Sequence, residues 1–448
     1  MSEHQGGELE PAAAELLERI RRREALVGVL GLGYVGLPLG LAFSESGFRV
    51  LGFDVDDRKV EALNAGRNYI DHLPAERVAE DVASGRLRAS SDFGRLDEPD
   101  ALLICVPTPL DRYREPNLDY VRKTAEAIAE KLRPGQLVIL ESTTYPGTTD
   151  ELVRPILERG GLRCGEDFYL AFSPEREDPG NQQFGTTGIP KVVGGLGEAA
   201  GQLASELYSD VFTAVVPVSS ARVAEAAKLT ENIFRAVNIA LVNELKMVYD
   251  AMDIDVWEVL DAAATKPFGF MRFTPGPGWG GHCIPVDPFY LSWKAREFGQ
   301  RARFIELAGE VNVEMPRYVL GKLRDALDSR RKPLNGSKIL VVGLAYKPDI
   351  SDPRESPAFE ILELLMEHGA EVSYHDPHIP EAPKMRTWPD LPAMRSVDLD
   401  DDRLAEQDAV LIVTNHSGVD YDRLLAEAPL VVDTRGVYRD EAPNLVRA

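Results

Sequence analysis

The chain has 448 residues, 44% hydrophobic and 27% charged, a composition typical of globular rather than disordered proteins. This length predicts two or three domains. The formal net charge of −23 argues against nucleic acid or an anionic membrane as a partner, because both are themselves negatively charged.

Other features of the sequence indicate where the protein is located and whether it contains disulfides or a metal. The sequence contains no apolar run long enough for a transmembrane helix. Its polar start, Ser2-Glu3-His4-Gln5, does not resemble a secretory signal, so we expect a cytoplasmic protein. The three cysteines, Cys105, Cys164 and Cys283, are too few for a disulfide framework and lack the spacing of metal ligands, so we expect no metal.

The first part of the chain predicts a parallel sheet covered by helices on both faces. A short charged helix is expected over residues 9–24, and a second helix over Leu37–Glu45. Strands are expected at the apolar runs Leu26–Leu30, Phe48–Phe53, Ala101–Val106 and Leu137–Glu141. Such alternation is typical of α/β domains. We place this domain at residues 1–218.

A glycine motif separates the first strand from the second helix. Gly31, Gly33 and Gly36 form G-x-G-x-x-G. The first glycine permits a tight turn, the second lets the backbone approach a pyrophosphate, and the third allows close packing of helix on strand. The N-terminus of the following helix adds N–H donors and a partial positive charge. A glycine-rich turn in an unrelated fold is the alternative.

The residue that ends the next strand supports a dinucleotide site. Asp54 lies eighteen residues beyond Gly36, close to where an acid binds the ribose hydroxyls. An acid there repels the 2′-phosphate of NADP, so NAD is the expected cofactor. Arg58 and Lys59 follow closely, and they leave some use of NADP open.

The second part of the chain predicts one long helix. Residues 220–252 contain neither proline nor glycine, and apolar residues recur at helical spacing. A helix of ~30 residues is ~45 Å long, so we expect it to bridge two domains. Its apolar stripe exceeds what one small domain covers, which predicts a homodimer. We assign residues 219–320 to a central helical domain for dimerisation and catalysis.

A loop rich in proline and glycine, Pro275–Gly281, precedes Cys283. There a thiol could face a substrate lying directly on the main chain. A lone cysteine is more often a small core residue, and that interpretation fits Cys105 and Cys164. It fits Cys283 poorly, because its glycine-rich surroundings do not form a strand or helix, but from the residues alone both interpretations stay open.

Lys228 and Asn232 are one helical turn apart, so they share a face of the long helix. Together they could stabilise a developing oxyanion. The alternative is a lysine whose stem packs on apolar surface while its ammonium reaches solvent, with an exposed amide beside it.

The third part predicts a second α/β domain, at residues 321–448. A buried strand is expected at Ile339–Val342, followed by Gly343, with a helix at Phe359–Glu367. Further strands are expected at Val372–His375, Ala409–Val413 and Leu430–Asp433. A degenerate copy of the first domain is one interpretation. The predicted fold class is α/β, with two Rossmann-like parallel-sheet domains joined by the long central helix and a small helical domain.

Taken together, the motifs resemble the UDP-glucose/GDP-mannose dehydrogenase superfamily over roughly residues 26–440. The residues that carry the resemblance are the glycine loop at 31–36, Ser142-Thr143-Thr144, Ser173-Pro174-Glu175, the helix positions Glu225, Lys228, Asn232, Asn243 and Glu244, Gly280-Gly281-His282-Cys283, and Lys347, Asp352 and Arg354-Glu355-Ser356. The residues Tyr145-Pro146-Gly147 depart from the family pattern and leave the contacts next to Thr143 uncertain.

Two stretches are most similar to the UDP-N-acetylhexosamine 6-dehydrogenases of this superfamily. They are Tyr69-Ile70-Asp71-His72 and the segment from Gly281 to Tyr290. The UDP-glucose enzymes usually carry a serine before the cysteine and lysine-aspartate after it. Whether the sugar is gluco, galacto or manno depends on the direction of single hydroxyls and stays open, as does UDP-glucose itself.

The resemblance implies a four-electron oxidation of the sugar C6 hydroxyl to a carboxylate, with NAD as oxidant, for polysaccharide or glycan precursors. Cys283 would add to the aldehyde and carry a thioester. Lys228 and Asp287 would manage the proton and the oxyanion, and Glu175 would act as base in the hydrolysis. Asn232 would hold the sugar or the oxyanion.

The resemblance also implies the binding residues. Thr143 would border the nicotinamide and the reacting carbon, which makes it a catalytic candidate as well. The cofactor set is Gly31, Gly33, Tyr34, Val35, Gly36, Asp54, Thr108, Thr143 and Lys347. The UDP-sugar set is Glu175, Arg176, Lys228, Asn232, Gly280, Tyr346, Lys347 and Arg354. Lys347 and Arg354 suit phosphate contacts; the alternative is a pair of surface cations in weak ion pairs.

Two other classes compete with this interpretation. A two-electron hydroxy-acid dehydrogenase would share the glycine loop but would need no cysteine. A non-catalytic sensor of nucleotide sugars is expected to lack Cys283, Lys228 or Glu175, and all three are present.

Overall fold

The computed structural model describes residues 9–70, 73–111, 114–176, 186–281, 283–385 and 387–448. The polar start of the chain, Asp71, His72 and His282 lie outside these described residues. The chain divides into two compact units. The first comprises the described residues up to Glu231 with Trp293–Phe298, and the second comprises Asn232–Ser292 and Gly299–Ala448.

The first unit contains one large sheet. Its strands are β1 Leu26–Leu30, β2 Arg49–Phe53, β3 Leu87–Ser90, β4 Ala101–Ile104, β5 Leu137–Leu140, β6 Tyr169–Phe172, β7 Lys191–Gly195 and β8 Val215–Val218. They are ordered β3-β2-β1-β4-β5-β6-β7-β8. The first six follow the strand order of doubly wound dinucleotide-binding domains. All neighbours pair in parallel except β6 and β7, an antiparallel pair that we did not predict.

Helices cover both faces of this sheet. They are α1 Pro11–Arg21, α2 Gly36–Glu45, α3 Asp57–Asn64, α4 Ala75–Ala83, α5 Asp119–Ala129, α6 Arg154–Leu157 and α7 Glu198–Ser209. A π-helical turn, Thr148–Val153, leads into α6, and short 3-10 turns lie at Phe93–Arg95, Glu158–Gly160 and Thr186–Gly188. Strands β4, β5 and β6 are buried along their whole length, as expected for parallel strands covered on both faces.

The remaining helices and a second sheet follow β8 in the chain. The helices are α8 Ala221–Asp250, α9 Val256–Ala264, α10 Asp287–Glu297, α11 Arg303–Ser329, α12 Pro357–Glu367, α13 Asp401–Glu406 and α14 Tyr421–Glu427. Both α8 and α10 supply residues to each unit. The parallel strands of the second unit are β9 Lys338–Val342, β10 Glu371–His375, β11 Ala409–Ile412, β12 Val431–Asp433 and β13 Leu445–Arg447, in the order β10-β9-β11-β12-β13.

The predicted fold class is confirmed: two parallel-dominated sheets are present, together with a long helix where one was expected. Helix α8 covers residues 221–250 of the predicted 220–252 because no proline or glycine interrupts it. The division into three domains at 218 and 320 stays a prediction.

The second sheet repeats the start of the first. Gly343 follows β9 with a positive φ of 89°, and its N–H donates to His375 at 2.8 Å. Gly31 follows β1 with φ of 97°, and its N–H donates to Phe53 at 2.8 Å. Both glycines occupy a conformation that residues with a Cβ rarely adopt. The interpretation of a degenerate copy therefore agrees with the local geometry.

None of the helices in the described ranges is long and apolar enough to cross a membrane.

Candidate active site

The three glycines of the loop after β1 have different surroundings. A Cβ at Gly36 would overlap the carbonyl oxygen of Gly31 and lie 3.0 Å from its carbon, so the loop and α2 pack in direct backbone contact. At Gly31 a Cβ would lie 2.5 Å from the carbonyl oxygen of Cys105. At Gly33 it would meet no atom within 4 Å. The open space at Gly33 fits a pyrophosphate approaching the main chain.

Asp54 joins the glycine loop to the end of β2. Its side chain is 7% exposed, and Oδ2 accepts the N–H of Leu32 at 2.9 Å. Lys59 lies 3.2 Å from the same oxygen, while Arg58 pairs instead with Asp56 at 2.8 Å. Of these two cations, only Lys59 therefore contacts Asp54, the residue predicted to bind the ribose hydroxyls.

Thr108 and Thr143 follow adjacent parallel strands, β4 and β5. The hydroxyl of Ser142 links the two loops, because it accepts the N–H of Val106 at 3.0 Å and donates to the Val106 carbonyl at 2.7 Å. Thr108 is buried and Thr143 is half-buried. The linkage places both predicted cofactor residues at one edge of the sheet, beside the carboxyl ends of the strands, where ligands of such sheets bind.

The unusual Tyr145-Pro146-Gly147 segment is held by Glu225 of α8. The Glu225 carboxylate is fully buried and accepts the N–H of Gly147 at 2.6 Å and that of Thr149 at 2.9 Å. The Thr149 hydroxyl donates to it at 2.7 Å. Burial raises the pKa of Glu225 to about 7, against the lowering effect of these hydrogen bonds. Glu225 therefore fixes the loop that follows Thr143.

Glu175 follows β6 and belongs to a buried polar cluster. Its Oε2 lies 3.4 Å from the ammonium of Lys191, and Oε1 accepts the N–H of Arg176 at 2.6 Å. Lys191 also pairs with Glu141 at 2.6 Å, and the hydroxyl of Tyr208 donates to Glu141. We did not predict Lys191, Glu141 or Tyr208, because nothing in the local sequence distinguishes them from ordinary strand and helix residues.

Lys228 and Arg176, two further predicted site residues of the first unit, differ in whether their cations have a partner. Lys228 is only 6% exposed, and within the described chain its ammonium has no hydrogen-bond or ion-pair partner. A buried unpaired cation is costly, so this group is suited to an anionic ligand or intermediate. Arg176 instead pairs with Glu231 at 2.7 Å and donates to the carbonyl of Pro190 at 2.7 Å.

The second unit brings together three of the predicted catalytic residues. The amide of Asn232 donates to the carboxylate of Asp287 at 2.6 Å, and both residues are 1% exposed. The N–H of Asp287 donates to the carbonyl of Cys283 at 2.9 Å, in the turn that begins α10. Cys283 is half-buried. The turn that contains the Cys283 thiol therefore leads directly into α10, whose first residue is Asp287, the carboxylate paired with Asn232.

The glycines before Cys283 pack on the loop that contains Tyr346. A Cβ at Gly280 would lie 2.6 Å from the Cβ of Tyr346, and one at Gly281 would lie 2.8 Å from its ring. The N–H of Gly281 donates to the carbonyl of Arg354 at 3.0 Å. The structure therefore brings Gly280, Tyr346 and the backbone of Arg354 together, and their role in substrate binding stays a prediction.

The cations of this loop are not equivalent. The Arg354 guanidinium contacts both carboxylate oxygens of Asp352, at 2.6 to 3.0 Å, so its geometry is already set by an internal pair. Lys347 is half-buried. Asp349 and Glu355 have positive φ angles of 61° and 48°, a backbone strain that often accompanies functional loops.

Arg435 is a cation of the second unit that we did not predict as a site residue. It follows β12, its Nε donates to the carbonyl of Val413 at 2.6 Å, and a Cβ at Gly276 would lie 2.6 Å from its guanidinium. Burial lowers the pKa of Arg435 to about 10. The available signal was its position in Asp433-Thr434-Arg435, directly at the carboxyl end of a predicted parallel strand, where ligands of such sheets bind.

Asp376, the acid that follows β10, accepts more hydrogen bonds than Asp54 does. Oδ2 of Asp376 accepts the N–H groups of Leu344 at 2.6 Å and Ala345 at 3.0 Å, and His416 Nε2 lies 3.0 Å away. Burial opposes ionisation, but these donors prevail and lower the pKa of Asp376 to about 2. His416 Nδ1 accepts the N–H of Asp349, so both ring nitrogens are engaged, and we assign no metal to the group Asp349, His378 and His416.

Comparisons with known proteins cover the same stretches. The UDP-glucose/GDP-mannose dehydrogenase family matches with its NAD binding domain over residues 25–212, its central domain over 222–314 and its UDP binding domain over 340–440. A UDP-N-acetyl-D-glucosamine 6-dehydrogenase from Pseudomonas aeruginosa is 38% identical over 359 residues, which are 80% of this chain and 84% of that protein.

Two further similarities involve the manno sugar. A UDP-N-acetyl-D-mannosamine dehydrogenase from Escherichia coli is 37% identical over 431 residues, 93% of this chain and 99% of that protein. The solved structure of a UDP-D-ManNAc dehydrogenase from Pyrococcus horikoshii has a TM-score of 0.84 at 31% identity, covering 94% of this chain and 98% of that one.

Proposed function

Because the chain belongs to the UDP-glucose/GDP-mannose dehydrogenase family, an NAD-dependent oxidoreductase family, we propose that it oxidises the C6 hydroxyl of a UDP-N-acetylhexosamine to the carboxylate. UDP-N-acetylglucosamine is the first candidate substrate, in line with the name of one relative. UDP-N-acetylmannosamine is the second, because relatives and a solved structure of similar identity carry that name.

The observation that carries this proposal is the grouping of Cys283, Asp287 and Asn232 in the second unit. A hydroxy-acid dehydrogenase transferring two electrons needs no thiol, whereas oxidation to an acid becomes easier when a thiol adds to the aldehyde and makes it a better hydride donor. Here the turn that contains the thiol also contains a buried carboxylate with an amide donor at 2.6 Å. This is the combination that a thioester mechanism uses.

The residues of the first unit fit NAD. The space at Gly33 is open, Asp54 ends β2 beside the loop, and the N-terminus of α2 faces the loop with its N–H donors. NAD supplies the hydride acceptor for both oxidation steps. Gly31 and Gly36 shape the loop, and Thr108 and Thr143 line the neighbouring strand ends, so the chain itself binds and orients the cofactor.

Side chains of this protein accept the proton and stabilise the negative charge that forms during the first oxidation. In the first oxidation the C6 hydroxyl loses its proton, and Lys228 stabilises the oxyanion because its buried ammonium has no other partner within the described residues. Asp287, oriented by Asn232, accepts the proton through water. The Cys283 thiolate then forms a C–S bond to the aldehyde carbon, and the second oxidation leaves a thioester on sulfur.

Hydrolysis completes the reaction. Water attacks the thioester carbon, Glu175 accepts the proton of that water, and the C–S bond breaks to release the acid and the Cys283 thiolate. The uridine diphosphate part of the substrate is assigned to the loop with Tyr346, Lys347 and Arg354.

Product stoichiometry and one substitution test this function. With UDP-N-acetylglucosamine and UDP-N-acetylmannosamine offered separately, we expect two NADH per sugar consumed and a uronic acid as product. Cys283→Ser should reduce acid formation by several orders of magnitude while leaving ligand affinity unchanged, because no thioester can form. The matched control is Cys164→Ser, which alters a half-buried thiol elsewhere. One NADH per sugar, or near-normal acid formation by Cys283→Ser, would refute the covalent mechanism.

We also propose that the protein is a homodimer through α8. Three apolar side chains spaced seven residues apart are exposed on this helix: Phe234 at 46%, Leu241 at 51% and Val248 at 46%. A seven-residue spacing places them on one side of the helix, and we call this set the heptad stripe. A stripe of this kind is typical of a surface that a second copy covers.

A further inference from the structure

The buried cluster around Lys191 has no role in the chemistry proposed so far. The Lys191 side chain, which begins β7, is 2% exposed, and that of Glu141, which follows β5, is 0% exposed. The Tyr208 ring of α7 is fully buried as well. The Lys191 ammonium lies 5.2 Å from the Tyr208 ring centre and 5.1 Å from that of Phe212, so aromatic surface excludes water from it.

The cluster holds one cation between two carboxylates. Lys191 donates to Glu141 at 2.6 Å and to Glu175 at 3.4 Å. Burial lowers the pKa of Lys191, but the two carboxylates outweigh burial and the net pKa is raised, so the ammonium stays charged. Glu141 and the hydroxyl of Tyr208 anchor the inner end of this arrangement. The outer end is Glu175, whose side chain is 10% exposed.

The backbone around Glu175 is tied to the same strand. The hydroxyl of Ser173 donates to the carbonyl of Val192 at 2.8 Å, so the turn after β6 is fastened beside Lys191. The second oxygen of Glu175 accepts the N–H of Arg176 at 2.6 Å. Both carboxylate oxygens therefore have a fixed donor, and the plane of the carboxylate is set before any substrate arrives.

We propose that Lys191 is a positioning residue for Glu175: anchored by Glu141 and Tyr208, its ammonium holds the Glu175 carboxylate in the orientation that accepts a proton from the hydrolytic water. The inference rests on the proposed role of Glu175 as general base. In that step the water oxygen forms a bond to the thioester carbon, the proton passes to Glu175, and the Cys283 thiolate leaves. In this scheme Glu175 acts as a base only in this last step, and neither oxidation uses it as a base.

The decisive variant is Lys191→Met, which keeps an unbranched side chain, one atom shorter, and removes the charge. We expect a first turnover with two NADH per active site at the normal rate, followed by a steady-state rate lowered by about 10- to 100-fold. Mass spectrometry of the intact protein should find the uronyl thioester on Cys283. Lys131→Met, at an exposed lysine, is the matched control and should not accumulate the thioester.

Two more variants separate positioning from folding. Lys191→Met leaves Glu141 buried without its cation, which can prevent folding. The double variant Glu141→Gln with Lys191→Met removes both charges, keeps a partner for Tyr208, and should still accumulate the thioester. Lys191→Arg, which retains a cation, should accumulate less thioester than Lys191→Met; equal accumulation would contradict a role for the charge.

Glu175→Gln distinguishes failure of this inference from failure of the proposed function. If Glu175→Gln accumulates the thioester and the folded Lys191 variants do not, the positioning role of Lys191 is wrong while the function stands. If Glu175→Gln shows no thioester either, the assignment of Glu175 as base is wrong, and the role of Lys191 falls with it. Slowing of both oxidations in the folded Lys191 variants would also overturn the inference, because it would indicate a general structural effect.

Discussion

Replacing the glycines of the nucleotide loop by alanine should separate stability from cofactor binding. At Gly36 the added Cβ would overlap a backbone carbonyl of Gly31, and neither the loop nor α2 can yield as a side chain does. Overpacking of this kind costs about 1–3 kcal/mol, and contact with backbone lies at the upper end. At Gly33 the Cβ would meet no atom within 4 Å, so stability should change by less than about 0.5 kcal/mol.

The same methyl group at Gly33 occupies the space that we assign to the pyrophosphate. If the ligand must shift at a cost of about 1–3 kcal/mol, NAD affinity falls by roughly 5- to 150-fold. Gly36→Ala should lower the thermal midpoint by several degrees, at about 2–4 °C per kcal/mol for a domain of this size. Differential scanning calorimetry and isothermal titration with NAD measure the two effects.

Gly40→Ala is the control on the same helix, because its Cβ would lie 3.5 Å from Val50 and 3.8 Å from Val29, which is ordinary contact. It should leave stability unchanged or raise it by up to about 1 kcal/mol through helix propensity. An unchanged midpoint in Gly36→Ala would refute the close contact of loop and helix. Unchanged NAD affinity in Gly33→Ala would refute the placement of the pyrophosphate.

Three other predictions concern the cofactor acid, the α8 surface and a buried carboxyl. Asp54→Ala should weaken NAD binding and relax discrimination against NADP, as measured by titration with both cofactors. Asp56→Ala is the control. Unchanged affinities of Asp54→Ala for both cofactors would show that Asp54 does not contact the ribose. Leu241→Glu should shift the protein from dimer to monomer in light scattering. Tyr120→Glu, which alters a side chain 49% exposed on α5, should leave the dimer intact. A wild-type protein that is monomeric at micromolar concentration would contradict the proposed dimer. Burial raises the pKa of Glu225 from 4.5 to about 7. The stability that this residue contributes is therefore fully present below pH 4.5 and is lost as the pH rises to 7. That loss lowers the unfolding free energy by on the order of 3 kcal/mol. Across that window the unfolding free energy of Glu225→Gln should fall less than that of the wild type, while Glu244→Gln, at an exposed position on the same helix, should follow the wild type.

The sequence by itself determined the features that depend on near neighbours. Strand β1 spans Leu26–Leu30, as predicted, because a glycine turn bounds its apolar run. Helix α8 follows from thirty residues without a glycine or proline. The spacing of the glycine loop and of Asp54 indicated a nucleotide site. In each case the physical cause acts within one turn or one strand, so a pattern in the sequence records it.

The tertiary structure decided what joins distant residues. Lys191 lies fifty residues from Glu141, and Asn232 lies fifty-five from Asp287, yet each pair is in direct contact at 2.6 Å. The antiparallel reversal between β6 and β7 likewise had no local signal. Which strands and helices become neighbours depends on the packing of the whole sheet and not on periodicity within any one segment. A buried lysine therefore looks in the sequence like any surface lysine until the elements that surround it have packed.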